Sequence, residues 1–175
     1  MVIRLDWLAR EFSFDHLSLG MFPFVVERLR GAPARAADRA RALPRDILTR
    51  RDGRDWSIQE HVGHLLDLEA LGMGRLDDFE SGAKALRPAD MQNRKTVEAD
   101  HNSTPIENIL EAFRTAREEF VRRLEAYDET FVARTAIHPR LEKDVRVLDL
   151  AYFIAEHDDY HLTRVSELIR KFTDA

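Results

Sequence analysis

The sequence predicts an all-α fold, a four-helix bundle with long crossover connections. Three observations point there. Apolar residues recur at three- and four-residue intervals, alternating runs bounded by hairpin turns are missing, and start and stop residues divide the chain into four principal helical stretches. With 175 residues, 44% of them hydrophobic and 34% charged, and with only seven Gly and six Pro, the chain suits one folded domain over 1–175. Its core is expected within about residues 18–172, and no internal repeat divides it.

The first helical piece is SLGMFPFVVERLR, residues 18–30. GAP at 31–33 should bend or interrupt it before an Ala- and Arg-rich continuation to Leu43, which Pro44 helps to end. Helix two has the clearest start: Ser57 and Glu60 make a capping box, with Trp56 shielding the first turn. It runs to about Phe79 with Ile58, Val62, Leu65, Gly72 and Leu76 on one stripe, and Ser81 and Gly82 end it. Residues 82–104 lack periodicity and read as a long connection across the bundle. Thr104, Pro105 and Glu107 repeat the capping logic, with the proline at the first helical position, and helix three follows to about Tyr127. Residues 129–144 read as an extended connection with a strand-like piece at Phe131 to Thr135. Helix four occupies about Val147 to Phe172, and polar residues interrupt the middle of its stripe.

Composition narrows the chemistry. Cysteine is absent, which excludes a disulfide framework, a Cys-ligated zinc and a thiol nucleophile on the chain, so any metal must sit on nitrogen and oxygen ligands. No stretch approaches the ~20 apolar residues of a membrane span and the start lacks a signal-peptide pattern, so the expectation is a cytoplasmic protein with no membrane partner. A formal charge of -5 argues against nucleic acid as a partner. Seven Arg between positions 35 and 54 are interleaved with Asp38, Asp46, Asp52 and Asp55, which reads as a solvated mixed-charge surface. No phosphate-cradling glycine loop, dinucleotide fingerprint or Ser-His-Asp pattern stands out.

The chemical signal lies in the histidines. His157 and His161 are four apart on helix four, so their rings share a face about one turn apart, directed to the apolar stripe, where they could clamp one metal ion. A third ligand would come from helix two, where His61 and His64 differ by about 60 degrees around the axis and both border the stripe. Periodicity does not choose between them. Asp158 also projects near the stripe, where an isolated carboxylate is costly, so it is expected to hydrogen-bond an imidazole N–H or a backbone group behind a ligand. Asp67, Glu69 and Glu156 read as solvent-facing helix charges. Asn93, Arg94 and His101 could cover a pocket from the long connection, and His138 beside Pro139 reads as a turn.

The segments WSIQEHVGHLLDLE (56–69) and HPRLEKDVRVLDLAYFIAEHDDYHLTRVSEL (138–168) resemble the DinB-like superfamily, which includes the YfiT-type metal-dependent hydrolases. The resemblance covers roughly residues 18–170. In that family a His eight residues after a Trp on helix two joins an HxxxH pair on helix four. Carried over, it implies a metal on His64, His157 and His161, with His61 packing in the pocket wall or orienting a ligand. Three neutral imidazoles leave a coordination position open, as catalytic sites do. The resemblance further implies zinc, with nickel as the alternative, and either hydrolysis or S-transfer from a low-molecular-weight thiol cosubstrate. It also implies a homodimer, in which Trp7, Leu8, Phe12 and Phe14 could cover a partner or the chain's own core. The alternative is a non-catalytic, metal-binding or stress-associated dimeric protein.

Overall fold

Pro33 sets the shape of the first helix. In the computed structural model, which describes residues 3–173, a single 3-10 turn at Leu19–Met21 leads into α1 (Phe22–Arg30), and α2 (Ala32–Ala40) follows directly. A proline at 33 has no N–H to donate to the carbonyl four residues back, so the helix breaks at Gly31. That orphaned Leu29 carbonyl accepts from Arg117 Nη1 at 3.1 Å, so a buried side chain from another helix closes the gap.

A short turn, α3 (Arg45–Leu48), precedes α4 (Ile58–Glu80), whose capping box forms as expected: Glu60 N–H donates to Ser57 Oγ at 3.1 Å and Ser57 N–H to Glu60 Oε2 at 2.8 Å. Gly82 ends the helix at a φ of +70°, which a side chain would resist. Residues 82–104 then form the long crossover, with a short helix α5 (Arg94–Glu98) and a 3-10 turn at His101–Ser103. This segment returns along α4, so its polar side chains lie over the start of that helix.

The capping expected of Thr104 and Glu107 does not form. Pro105 takes the cap position of α6 (Ile106–Glu125), the Thr104 carbonyl accepts from Gln59 Nε2 at 2.6 Å, and Glu107 pairs with Arg41 at 3.1 Å. The strand-like piece expected at Phe131 to Thr135 also lies elsewhere. Asp128 caps a helical turn, α7 (Glu129–Val132), and the extended backbone begins four residues later than expected, as a hairpin of β1 (Thr135–His138) and β2 (Lys143–Arg146). Its outer edge is held by Leu86 N–H donating to the Ile137 carbonyl at 2.9 Å. The last helix, α8 (Val147–Thr173), completes the bundle.

Cross-helix contacts fix the directions. Gln59, Glu69 and Asp77 of α4 meet Thr104, Arg117 and Arg123, so α4 and α6 run parallel. Arg28 and Arg39 meet Asp159 and Ser166, so the first helix runs parallel to α8, and both oppose the central pair. The long return over residues 82–104 is what lets α4 and α6 point the same way.

Buried apolar residues form two clusters, one around Trp7, Leu76, Phe120 and Leu148, the other around Ile58, Phe113, Val165 and Leu168. Between them lies a polar layer. Glu69 falls between Leu65 and Leu76 on α4, Arg117 between Phe113 and Phe120 on α6, and Asp158 between Ala155 and Leu162 on α8. Arg117 Nη2 meets Glu69 Oε1 at 2.6 Å and its Nη1 meets Asp158 Oδ2 at 2.5 Å, which leaves the two carboxylates sharing one guanidinium. Trp7, Phe12 and Phe14 cover the chain's own core, while Leu8 stays exposed. The Arg-rich stretch forms a web of ion pairs and hydrogen bonds, including Arg35 to Asp159 and Arg39 to Ser166, as a mixed-charge surface should. No helix among the described residues is long and apolar enough to cross a membrane.

Candidate metal centre

Three helical positions bring three imidazoles together. His157 and His161, one turn apart on α8, have their Nε2 atoms 3.1 Å apart. His64 on α4 faces both, with ring centroids 4.7 Å from His161 and 5.3 Å from His157. One nitrogen from each ring lies within 4.8 Å of those of the other two. Two nitrogens on one tetrahedral zinc, with bonds of ~2.0–2.1 Å, sit ~3.3 Å apart, a spacing that the α8 pair already matches. His61, the other helix-two candidate, stands behind this trio, its Nδ1 2.9 Å from His161 Nδ1. Its Nε2 is buried without a partner.

The protonation states suit cation binding. Burial lowers all four rings: His61 to about 3, helped by the charge of Arg164, His64 to about 4, and His157 and His161 well below the usual value. All are therefore neutral at pH 7, with lone pairs available. A cation competes with protons only where the pH nears those lowered values. Apparent zinc affinity should accordingly change less than about threefold between pH 7.5 and 6.0 in a zinc titration, whereas three unperturbed imidazoles would lose about fifty-fold over that interval. A steep fall would show that the rings titrate normally.

The crossover decides which nitrogen of His64 faces the trio. Thr96 Oγ1 lies 3.0 Å from His64 Nδ1 and hydrogen-bonds Asp67, while His101 Nε2–H donates to Asp67 Oδ2 at 2.8 Å. Burial alone would raise the Asp67 carboxyl, but the His101 and Thr96 bonds and the nearby Lys95 hold it below the usual range, ionised and accepting. With its own proton given to Asp67, Thr96 can only accept from His64 Nδ1–H, which leaves His64 Nε2 as the lone-pair nitrogen. Gly63 permits this: a Cβ there would meet the His101 ring at 2.3 Å. Thr96→Val should weaken zinc binding by ~10–100-fold and Thr96→Ser should restore it, measured by competition titration against a chelator. Equal affinities in all three proteins would remove Thr96 from the site.

Several carboxylates take other places than expected. Asp158 bonds no imidazole; both its oxygens bind Arg117. Asp67 and Glu69 are buried and Glu156 is half-buried, paired with Arg28 and Arg10, so none of the three is a free solvent-facing charge. His101 and Asn93 do reach the site region, the first through Asp67 and the second at the cavity wall, whereas Arg94 pairs with Asp90 on the surface. His138 sits in β1 with its ring 4.9 Å from Phe153. Thr96, Arg117 and Arg75 carried no motif in the sequence.

Trp56 and Trp7 wall the trio, the first 4.7 Å from the His64 ring and the second 5.0 Å from His157. A cavity of about 480 Å³ between α4 and α8 is lined by the imidazoles, by Leu68, Leu71, Phe153 and Ile154, and by Arg75, His138 and Arg140. Nitrogen donors on the wall of a largely apolar chamber can hold a cation while leaving room for a small molecule beside it.

A family model described as the DinB superfamily matches residues 28–164. Among solved structures, YfiT from Bacillus subtilis, described as a probable metal-dependent hydrolase with an unusual four-helix bundle topology, superimposes with a TM-score of 0.79. That match has 18% sequence identity and covers 93% of this chain and 94% of that one, a likeness of fold. No curated protein matches the chain.

Proposed function

The chain belongs to the DinB superfamily, and from that premise we propose that it is a divalent-metal-dependent enzyme with its metal on His64, His157 and His161. The reading takes zinc as the metal, with nickel as the alternative. The reaction is hydrolysis or transfer to a low-molecular-weight thiol. The observation that carries it is the trio of neutral imidazoles with nitrogens within 4.8 Å of one another, opening on a cavity. When bound, the metal would supply Lewis-acid activation, lowering the pKa of a protic nucleophile, water or a thiol.

The chain's own residues do the rest. Thr96 and Asp67 hold the His64 proton at Nδ1. His61 Nδ1 accepts from His161 Nδ1–H when His161 presents its Nε2 lone pair, so His61 orients that ring. Trp7 and Trp56 keep bulk water from the site. With no cysteine in the chain, a thiol nucleophile must arrive as a cosubstrate.

Because only the folded state holds the trio, saturating zinc should stabilise it by mass action. At one hundred times the dissociation constant this is ~2.7 kcal/mol, or roughly 5–10 °C in melting temperature. The same zinc-loaded protein should hydrolyse an ester or conjugate a thiol to an electrophile in a substrate screen, and His64→Ala should abolish this. A chain that binds one zinc yet turns over neither class of substrate would be a metal-binding protein without catalysis, and an unchanged melting temperature would count against the site itself.

A further inference from the structure

On the wall of the same cavity, beyond Trp7 from His157, two cations and one hydrogen-bond donor stand with no carboxylate paired to them among the described residues. Arg75 is 4% exposed, and its Nε donates to the Arg87 carbonyl at 3.2 Å. No carboxylate among the described residues lies within ion-pair distance of it; Asp78, whose charge acts on it, is bound by Arg87 through both side chain and backbone. Burial lowers the Arg75 guanidinium to about 10, so it stays charged at neutral pH. Arg140 lies over the Trp7 ring and donates to the Trp7 carbonyl at 2.6 Å, again without an ion pair among the described residues. Asp6, whose charge acts on it, is exposed and accepts from the backbone of Leu8 and Ala9.

His138 adds the donor. Its Nδ1 accepts from Leu141 N–H at 3.3 Å, so the ring proton is on Nε2, a buried atom with no partner. Burial, with the charges of Arg75 and Arg140, lowers this ring to about 4, which keeps it neutral; all three groups line the one cavity, where the His138 ring and the Arg140 guanidinium both pack on Phe153, at 4.9 and 5.7 Å. The other carboxylates on the cavity wall are committed elsewhere: Glu69 and Asp158 to Arg117, Asp90 to Arg94. A buried guanidinium without a counter-ion is costly, and a fold retains one where a ligand supplies the missing charge.

We infer that Arg75, Arg140 and the His138 Nε2–H form a carboxylate-binding site, so that the cavity takes a small organic acid. The acid group is held there and the apolar body lies along Leu68, Leu71 and Phe153, reaching toward the imidazoles. Arg75 stands eleven positions along α4 from His64, ~16 Å of helix, and the Trp7 ring lies between Arg140 and His157, so the carboxylate is bound apart from the metal and orients the rest of the molecule. The inference rests on the proposed enzyme only in taking this cavity as the place of the substrate.

The test uses hexanoate and 1-hexanol as probes, titrated by NMR into the full chain, zinc-loaded and chelator-stripped. Hexanoate should bind once per chain in both forms, at least tenfold more tightly than hexanol. Arg75→Gln should weaken hexanoate at least tenfold, and Arg140→Gln, at a half-exposed hairpin position that leaves the core intact, at least threefold. Neither change should move hexanol affinity by more than about twofold, and Arg75→Gln should leave zinc affinity equally unmoved. Equal binding of acid and alcohol, hexanoate affinity indifferent to both variants, or hexanoate binding that requires zinc would overturn the assignment. Zinc binding measured alongside separates the two readings: intact zinc affinity with no hexanoate site sinks only this one, and a hexanoate site without zinc sinks only the metal centre.

Discussion

Replacing His64 with Ala is expected to strip the protein of stoichiometric zinc while leaving its helices in place. His64 is the trio's member from α4, and its partner in the fold is Thr96 in the crossover, so its loss does not disturb the α8 pair. Losing an outer partner of a ligand costs ~10–100-fold in affinity, and losing the ligand should cost more, over ~100-fold. His61→Ala makes the contrast: it removes the ring behind His161 and should fall within the ~10–100-fold range. Elemental analysis after dialysis, with far-ultraviolet circular dichroism as the control, reads both. If the His64 variant retains one zinc per chain, the cation sits elsewhere.

The largest effect on stability should come from Arg117→Met. This side chain is almost wholly buried and joins three elements: it neutralises Glu69 on α4 and Asp158 on α8 and caps the Leu29 carbonyl left free by Pro33. Removing it strands two buried carboxylates, a change that costs ~3–5 kcal/mol, or roughly 6–20 °C in melting temperature for a chain of this size. The pH dependence has a definite sign. Burial raises both carboxyls even beside Arg117, and more so without it. A carboxyl whose folded pKa lies above its unfolded value near ~4 stabilises most below that value and loses the contribution as pH rises through the folded one. The variant should therefore be least stable near neutrality and recover as pH falls toward the unfolded carboxyl value near ~4. Substituting all three together, with Glu69→Leu and Asp158→Leu beside Arg117→Met, should restore much of the loss. A single variant that melts within about 2 °C of the parent at pH 7 would mean the triad is not a buried ionic layer.

The bundle and its histidines were legible because both are periodic. The Ser57 and Glu60 box, the break around Pro33 and the HxxxH spacing are local signals, and each forms where the sequence places it. The choice between His61 and His64 was not legible from spacing. The family resemblance favours His64, and the geometry brings His64 into the trio while His61 stands one ring behind. The ionic layer had a signal that reading each helix alone overlooks. Glu69 fills the gap in the stripe Ile58, Val62, Leu65, Gly72, Leu76; Asp158 and Arg117 hold the matching places on their own helices. Charges at apolar positions on three helices must meet or be expelled. Thr96 had no such signal, because it reaches His64 from an aperiodic crossover 32 residues away in sequence. The hairpin was hidden for a different reason: its strands are four residues each, too short for alternation to show.

X-ray absorption at the zinc edge of the loaded protein tests the central claim most directly. The account predicts one zinc per chain with three imidazole nitrogens at ~2.0–2.1 Å and at least one further light-atom ligand, falling to two imidazoles or no bound zinc in the His64→Ala variant. A shell with fewer than three imidazoles in the unaltered protein, or one that the variant leaves unchanged, would contradict it.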